Sequence, residues 1–218
     1  MTNLRILVAD DHEVVRRGLR SLLESKPGWT VCGEASNGRE AVDRTNELGP
    51  DVVVMDLAMP ELNGIEATRR IHDEAPRTSV LILSAKDSEM LVQEALAAGA
   101  RGFALKSDAG QELLGAVESL SQGRPFFSAR VGEFVVQGYA NGTGARGEPM
   151  SARSSLTARE RQVLQLLAEG KSNKQVAASL NIGVKTAESH RGNLMRKLHA
   201  QSLSELVRYA IRNQLVDP

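Results

Sequence analysis

Two kinds of apolar pattern alternate along the first half of the chain. Residues 4–9, 52–55 and 80–83 are short, nearly unbroken apolar runs, the pattern of strands buried on both faces. A weaker run over 29–35 predicts a strand towards an edge, and 101–105 a short one. Between these runs apolar residues recur at helical spacing, over 14–23, 37–47, 64–74, 89–98 and about 110–121. Five strands alternating with five helices predict an α/β fold, a doubly wound parallel sheet covered on both faces.

The pattern changes after residue 122. Residues 126–137 read as an extra helix, and 138–155 are rich in Gly and Ser with little to pack, which predicts a flexible linker. From Leu156 onwards helix starts are dense. Thr157-Ala-Arg-Glu160, Ser172-Asn-Lys-Gln175 and Ser202-Leu-Ser-Glu205 all have capping-box spacing, and Gly170 closes the first helix. They predict four short helices. The middle two, about 173–180 and 184–199, are separated by a tight turn and form a helix-turn-helix. The expected organisation is therefore a domain over 1–122, a helix and linker over 123–153, and a small all-α domain over 154–218.

Composition sharpens this division. The 218 residues carry no net charge, but residues 1–140 hold 15 Lys+Arg against 21 Asp+Glu, and residues 141–218 hold 12 against 6. An acidic part suits a divalent cation and a basic part suits a polyanion such as DNA. The change of sign disfavours reading 138–155 as a surface loop within one domain. No apolar stretch reaches the roughly 20 residues that cross a bilayer, and no signal peptide precedes Asp10-Asp11. No membrane role is expected. The single cysteine, Cys32, excludes an internal disulfide, fits a cytoplasmic protein, and is expected as a small core residue.

The chemistry sits at the ends of the strands. Asp10 and Asp11 end the first, Asp56 the third, Ser84 the fourth and Lys106 the fifth. In a doubly wound sheet these ends converge on one edge, where such folds bind ligands. Three carboxylates together imply a hard, oxygen-bound cation, Mg²⁺ or Mn²⁺. Asp56 is then a nucleophile towards phosphorus that becomes an acyl phosphate, with Lys106 and Ser84 supplying a charge and a hydroxyl to the phosphoryl group. The chain has neither the glycine fingerprint of a dinucleotide fold nor that of a P-loop.

Residues 1–122 resemble the receiver domain of two-component response regulators: Asp-Asp after the first strand, Asp before x-x-Met-Pro, Ser after the fourth strand and Lys after the fifth. The resemblance implies phosphorylation of Asp56 by a sensor histidine kinase. It also implies Mg²⁺ ligation by Asp11, Asp56 and the Ala58 carbonyl, with Asp10 acting largely through a metal-bound water. Phe103 holds the position of the usual switch tyrosine, so its coupling to Ser84 has to work through packing. A haloacid-dehalogenase-like phosphohydrolase is the competing class. It needs a second aspartate two residues after the nucleophile, and here that residue is Ala58; His12 beside the acidic pair reads as a surface ion-pairing residue. A multiple-turnover enzyme is therefore not expected.

The second domain resembles the LuxR-type helix-turn-helix from Leu156-Thr-Ala-Arg-Glu through Lys185-Thr-Ala-Glu-Ser-His-Arg-Gly-Asn-Leu-Met-Arg-Lys-Leu198. With the receiver it gives the NarL/FixJ subfamily of response regulators. Helical spacing puts Ala187, Leu194 and Leu198 towards a core and Lys185, Glu188, Ser189, Gly192 and Arg196 on the opposite face, free to enter a major groove. The resemblance implies that Glu188, Ser189 and Gly192 face bases. Lys171, Lys174, Lys185, Thr186, His190, Arg191 and Lys197 are its candidate phosphate contacts. It also implies double-stranded promoter DNA as partner, a homodimer joined through the helix from Ser202, and contact with RNA polymerase. The alternative kept open is a DNA-binding regulator whose receiver acts without phosphorylation.

Overall fold

The structure is a computed structural model that describes residues 3–85, 88–140, 156–212 and 215–216. It divides into two compact units, residues 1–146 and 147–218. In the first, strands β1 (Leu4–Ala9), β2 (Trp29–Ala35), β3 (Val52–Asp56), β4 (Ser79–Ser84), β5 (Gly102–Leu105) and β6 (Phe126–Phe127) form one parallel sheet in the order β2-β1-β3-β4-β5-β6. Helices α1 (Glu13–Glu24), α2 (Gly38–Leu48), α3 (Gly64–Glu74), α4 (Glu89–Ala97), α5 (Ala109–Ser121) and α6 (Ala129–Ala140) connect and follow them.

The period of two along each strand feeds two cores. Leu7, Ala9, Val53, Met55, Val80 and Ile82 enter the core under α2, α3 and α4. Ile6, Val8, Val52, Val54, Leu81 and Leu83 enter the other, with apolar residues of α1 and α5. This explains why the central strands are apolar without alternation. β2 lies at an edge, as its weaker pattern predicts. Cys32 is only half-buried there, its thiol 3.3 Å from the Ile6 carbonyl, rather than a core residue.

The sheet has one strand more than the apolar pattern predicts. After α5 the chain turns at Gly123, whose φ of 74° is in the left-handed region. Phe126 and Phe127 then run beside β5, with Phe126 N–H donating to Arg101 O (3.2 Å) and Ser128 N–H to Phe103 O (3.1 Å). A two-residue strand behind a proline has no alternation to detect. The extra helix expected over 126–137 is α6, which starts at Ala129 and buries Val131 against α4 and β6. It belongs to the first unit. The expected linker falls largely outside the described residues.

The second unit is four helices: α7 (Ala158–Ala168), α8 (Asn173–Ser179), α9 (Val184–Lys197) and α10 (Leu203–Arg212). Val163, Leu164, Leu167, Val176, Ala187, Leu194, Leu206 and Ala210 form its core. Thr157 and Ser172 make complete capping boxes with Glu160 and Gln175. The third is incomplete. Ser202 Oγ accepts from Glu205 N–H, but Glu205 reaches back to Gln201 N–H instead of Ser202. Between α8 and α9 the turn passes through Asn181 in the left-handed region (φ 51°), and Ile182 N–H closes onto Ala177 O at 2.9 Å. Asparagine tolerates that conformation better than most residues.

Candidate functional site

The sheet order sets the site. β1, β3, β4 and β5 are successive neighbours, so their carboxyl ends bring Asp10, Asp56, Ser84 and Lys106 to one edge. Lys106 extends across β4. Its Nζ lies 2.8 Å from Asp10 Oδ2 and 3.0 Å from Asp56 Oδ2, while its N–H donates to Ser84 O at 2.7 Å. Asp56 Oδ1 accepts from Leu57 N–H at 2.8 Å, so each oxygen of this carboxylate has a donor. Asp10, Asp56 and Ser84 are buried; Asp11 is partly open, with 27% of its side chain exposed.

Burial pushes the Asp56 carboxyl up to about 6, with Asp10 and Asp11 adding to the rise and Lys106 opposing it. For Lys106, burial favours loss of the proton, but Asp56 and Asp10 outweigh it and hold the ammonium above its ordinary value. The unfolded carboxyl ionises near 3.8 and the folded one near 6, so the folded state binds more protons between those values. The ionised carboxylate therefore opposes folding, increasingly as pH rises through this window and fully above it. Asp56→Asn removes that penalty, worth up to about 3 kcal/mol. In chelator-treated protein the variant is expected to be more resistant to urea at pH 7.5, with the gain shrinking to under about 1 kcal/mol by pH 4 and vanishing below it.

Asp10, Asp11 and His12 place one ligand atom each within 4.8 Å of one another. Asp11 Oδ1 is shut from solvent and, although 2.7 Å from His12 Nδ1, makes no hydrogen bond. An acceptor without a donor, beside a second carboxylate, fits a hard cation. Asp56 lies outside this close group, with its Oδ2 turned to Lys106. The expectation that His12 is a surface ion-pairing residue agrees with its 60% exposed side chain. No order of strand ends reveals the Lys106–Asp10 bond, which ties the acidic pair to the fifth strand.

Two features of the frame carry no sequence motif. Arg16 Nη1 donates to Asp10 O at 2.8 Å while its Nε meets Glu34 Oε2 at 3.2 Å, fixing the turn that carries the acidic pair. Gly64 N–H donates to Leu57 O at 2.9 Å, and a Cβ on Gly64 would stand 2.0 Å from Asp56 O. Only glycine lets α3 start against the backbone of Asp56. Gly38 starts α2 in the same way, its N–H on Leu62 O and an added Cβ 2.1 Å from that oxygen. The Asn-Gly pairs at 37–38 and 63–64 are visible in sequence as helix starts, with both asparagine side chains capping. Their close approach to the loop after β3 is not.

Phe103, the expected switch residue, is fully buried, with Ile82 and Phe127 beside it in register on the neighbouring strands. Val131 and Phe134 of α6 belong to the same apolar cluster. Ala58 is half-buried in the loop after β3.

In the second unit α9 divides as its spacing predicts. Ala187 and Leu194 are buried and Leu198 is half-buried. Lys185, Thr186, Glu188, Ser189, Gly192 and Arg196 are exposed; His190 and Arg191 are half-buried between the two faces. Of the basic candidates, Lys174 and Lys185 make no ion pair among the described residues. Lys171 pairs with Glu169 at 3.3 Å and Lys197 with the buried Glu160 at 2.7 Å. Burial would raise the Glu160 carboxyl, but Lys197 and the Thr157 cap outweigh it and hold it below its ordinary value. The Lys197 ammonium thus ties α9 to the start of α7, a structural role beside its candidate phosphate contact. Gly192 has open space where a Cβ would be, so its place inside the helix has no steric cause.

Comparison with known proteins gives two family matches. Residues 6–118 match the response regulator receiver domain and residues 154–210 the bacterial regulatory proteins of the luxR family. The transcriptional regulatory protein LiaR of Bacillus subtilis is 37% identical over 98% of this chain and 100% of its own. The oxygen regulatory protein NreC of Staphylococcus carnosus is 35% identical over the same shares. Among solved structures, RcsB from Salmonella enterica serovar Typhimurium, bound to promoter rprA in the presence of the phosphomimetic BeF₃⁻, is 26% identical. It covers 95% of this chain and 98% of its own, with a TM-score of 0.66. The strand-end site with its lysine bridge and the helix-turn-helix with its exposed polar face thus fall in two matched families on one chain, and the chain belongs to the NarL/FixJ-type response regulators of two-component systems, a receiver domain followed by a LuxR-type helix-turn-helix domain.

Proposed function

We propose that a cytoplasmic sensor histidine kinase phosphorylates Asp56, and that the phosphorylated protein binds promoter DNA through α9 as a homodimer. The observation that carries this reading is the buried Asp56 carboxylate with Lys106 3.0 Å away at the edge of the sheet. An Asp56 oxygen attacks the phosphorus of the kinase's phosphohistidine. The O–P bond forms, the P–N bond breaks, and the imidazole keeps the electron pair and takes a proton. Lys106 passes from the carboxylate to the phosphoryl oxygens, and Ser84 donates its hydroxyl to them. Asp10, Asp11 and Asp56 with the Ala58 carbonyl would hold Mg²⁺ or Mn²⁺, which supplies neutralising charge for the incoming phosphoryl group. The protein hydrolyses its own acyl phosphate but turns over no other substrate.

The kinase needs a footing beside this edge. An apolar cleft of about 300 Å³ lined by Val15, Leu19, Leu22, Leu83 and Lys106 lies between α1 and α5, and Val14 beside it is 83% exposed. No helix among the described residues is long and apolar enough to cross a membrane, in keeping with action in the cytoplasm. Lys174, Lys185 and Arg196 line the exposed side of the helix-turn-helix, which supports phosphate contacts. Bound protein at a promoter places its remaining surface within reach of RNA polymerase. α10 carries the dimer contact, and the related RcsB has been solved as two dimers bound to two parallel DNAs.

The test compares genome-wide DNA occupancy of the wild type with Asp56→Asn under the inducing signal. Occupancy at a defined set of promoters is expected to rise on induction in the wild type and to stay at its uninduced level in the variant. Equal induction in both would leave a receiver that acts without phosphorylation.

A further inference from the structure

We propose that Glu188 is the base-reading residue that selects a cytosine in each half of the DNA site. The inference rests on α9 being the groove-entering helix and deepens that reading. Between Lys171 and His199 there are six basic residues and this one acidic residue. Glu188 lies on the exposed face of α9 with Lys185 and Ser189, opposite the buried Ala187 and Leu194. Among the described residues it makes no hydrogen bond or ion pair, although Lys185 and Arg191 stand three positions away on either side. Other acidic side chains of the unit are engaged: Glu160 with Lys197, Glu169 with Lys171, and Glu205 with the Gln201 N–H.

An unpaired carboxylate carried into a groove between phosphates loses water and gains repulsion. It is tolerated there only where it meets a donor. The major-groove edge offers two donors, cytosine N4 and adenine N6. Adenine N6 stands between two acceptors, its own N7 and the partner thymine O4. Cytosine N4 has an acceptor, guanine O6, on one side only. A carboxylate with two oxygens therefore meets less repulsion at cytosine. Gly192, one turn further on, adds no side chain and leaves open space above the helix backbone, so no bulky neighbour holds Glu188 away from the base pair.

The experiment is selection of double-stranded sites from a random library by full-length protein phosphorylated with acetyl phosphate, for wild type, Glu188→Ala and Glu188→Gln. Affinities for the selected site and for random DNA are then measured at two salt concentrations. The wild-type consensus is expected to hold a cytosine at one position of each half-site. Glu188→Ala is expected to lose roughly ten-fold or more of the preference at that position alone, while its binding to random DNA tightens because a negative charge has gone. Glu188→Gln, whose amide both donates and accepts, is expected to move the preference towards adenine. Glu188 is exposed and makes no hydrogen bond or ion pair among the described residues, so all three proteins should give the same helical signal and melting temperature. If Glu188→Ala instead tightens binding equally at every sequence, Glu188 is a solvated charge and the inference fails. If the wild type shows no salt-sensitive DNA binding at all, the groove-entering role of α9 fails, a result distinct from a flat preference at one base.

Discussion

Asp56→Asn protein mixed with Mg²⁺ and a small phosphodonor such as acetyl phosphate takes up no phosphoryl group, while the wild type forms an acid-stable, hydroxylamine-labile acyl phosphate. The expected loss is complete rather than partial. The amide oxygen of asparagine is a far weaker nucleophile than a carboxylate, and no second carboxylate can replace it. Asp10 is buried with one oxygen on Lys106 and the other on the His12 N–H. Asp11 is partly exposed on the turn that follows β1. The same variant is isosteric and its one side-chain oxygen can keep the Leu57 N–H, while Lys106 loses its Asp56 partner but keeps Asp10 at 2.8 Å, so its fold survives and phosphate uptake reports chemistry alone. Labelling of Asp56→Asn at a rate near the wild type would move the phosphoacceptor to another residue. In the wild type, the carboxyl held up to about 6 keeps the nucleophile largely ionised at pH 7.5 and largely protonated at pH 5. The reaction of the metal-bound protein should start from a lower value, because the cation favours the charged carboxylate.

This site was legible in the sequence because each of its residues ends a strand of a regular sheet. Short apolar runs fixed the strands, and the doubly wound topology fixed where their ends meet. The order of neighbours then brought Lys106 to Asp56 without any need for coordinates. What the spacing does not show depends on contacts at a distance in sequence. Arg16 is one of several basic residues on an amphipathic helix, and nothing in the spacing distinguishes its bond to the Asp10 carbonyl. Gly64 reads as an ordinary helix start beside its asparagine cap. Its fit against the backbone of Asp56, where an added Cβ would stand 2.0 Å from the carbonyl oxygen, is set by the path of a loop that the spacing does not show. β6 is too short to have a period. In the helical domain the capping boxes at Thr157 and Ser172 are local and so were readable, but the Glu160–Lys197 bond joins residues 37 positions apart. It converts a charge expected for DNA into one that also braces the fold.

Phe103→Ala is expected to lower the unfolding free energy of the receiver unit by about 3–5 kcal/mol, the usual range for a fully buried phenylalanine, in urea titrations monitored at neutral pH. The size follows from where the ring is. Phe103 is the largest of the fully buried side chains, with no exposed surface, and its strand is flanked by β4 on one side and β6 on the other. The cavity left by alanine lies beside Phe127 on β6, in the cluster that also holds Val131 and Phe134. Among the described residues α6 packs chiefly on α4 and the short β6. Proteolysis between α5 and α6 should therefore accelerate in the variant before global unfolding does. Phe103→Tyr separates packing from switching. A tyrosine in this cluster keeps the ring but brings a hydroxyl into an apolar site, costing about 1–3 kcal/mol unless it finds a partner. If the phosphorylated Tyr variant regains that stability, its hydroxyl has reached an acceptor near Ser84. Equal losses with and without the phosphoryl group would mean that residue 103 only fills space. The native phenylalanine has no hydroxyl to exchange, so whatever it transmits to α6, which leads towards the second unit, it transmits by volume.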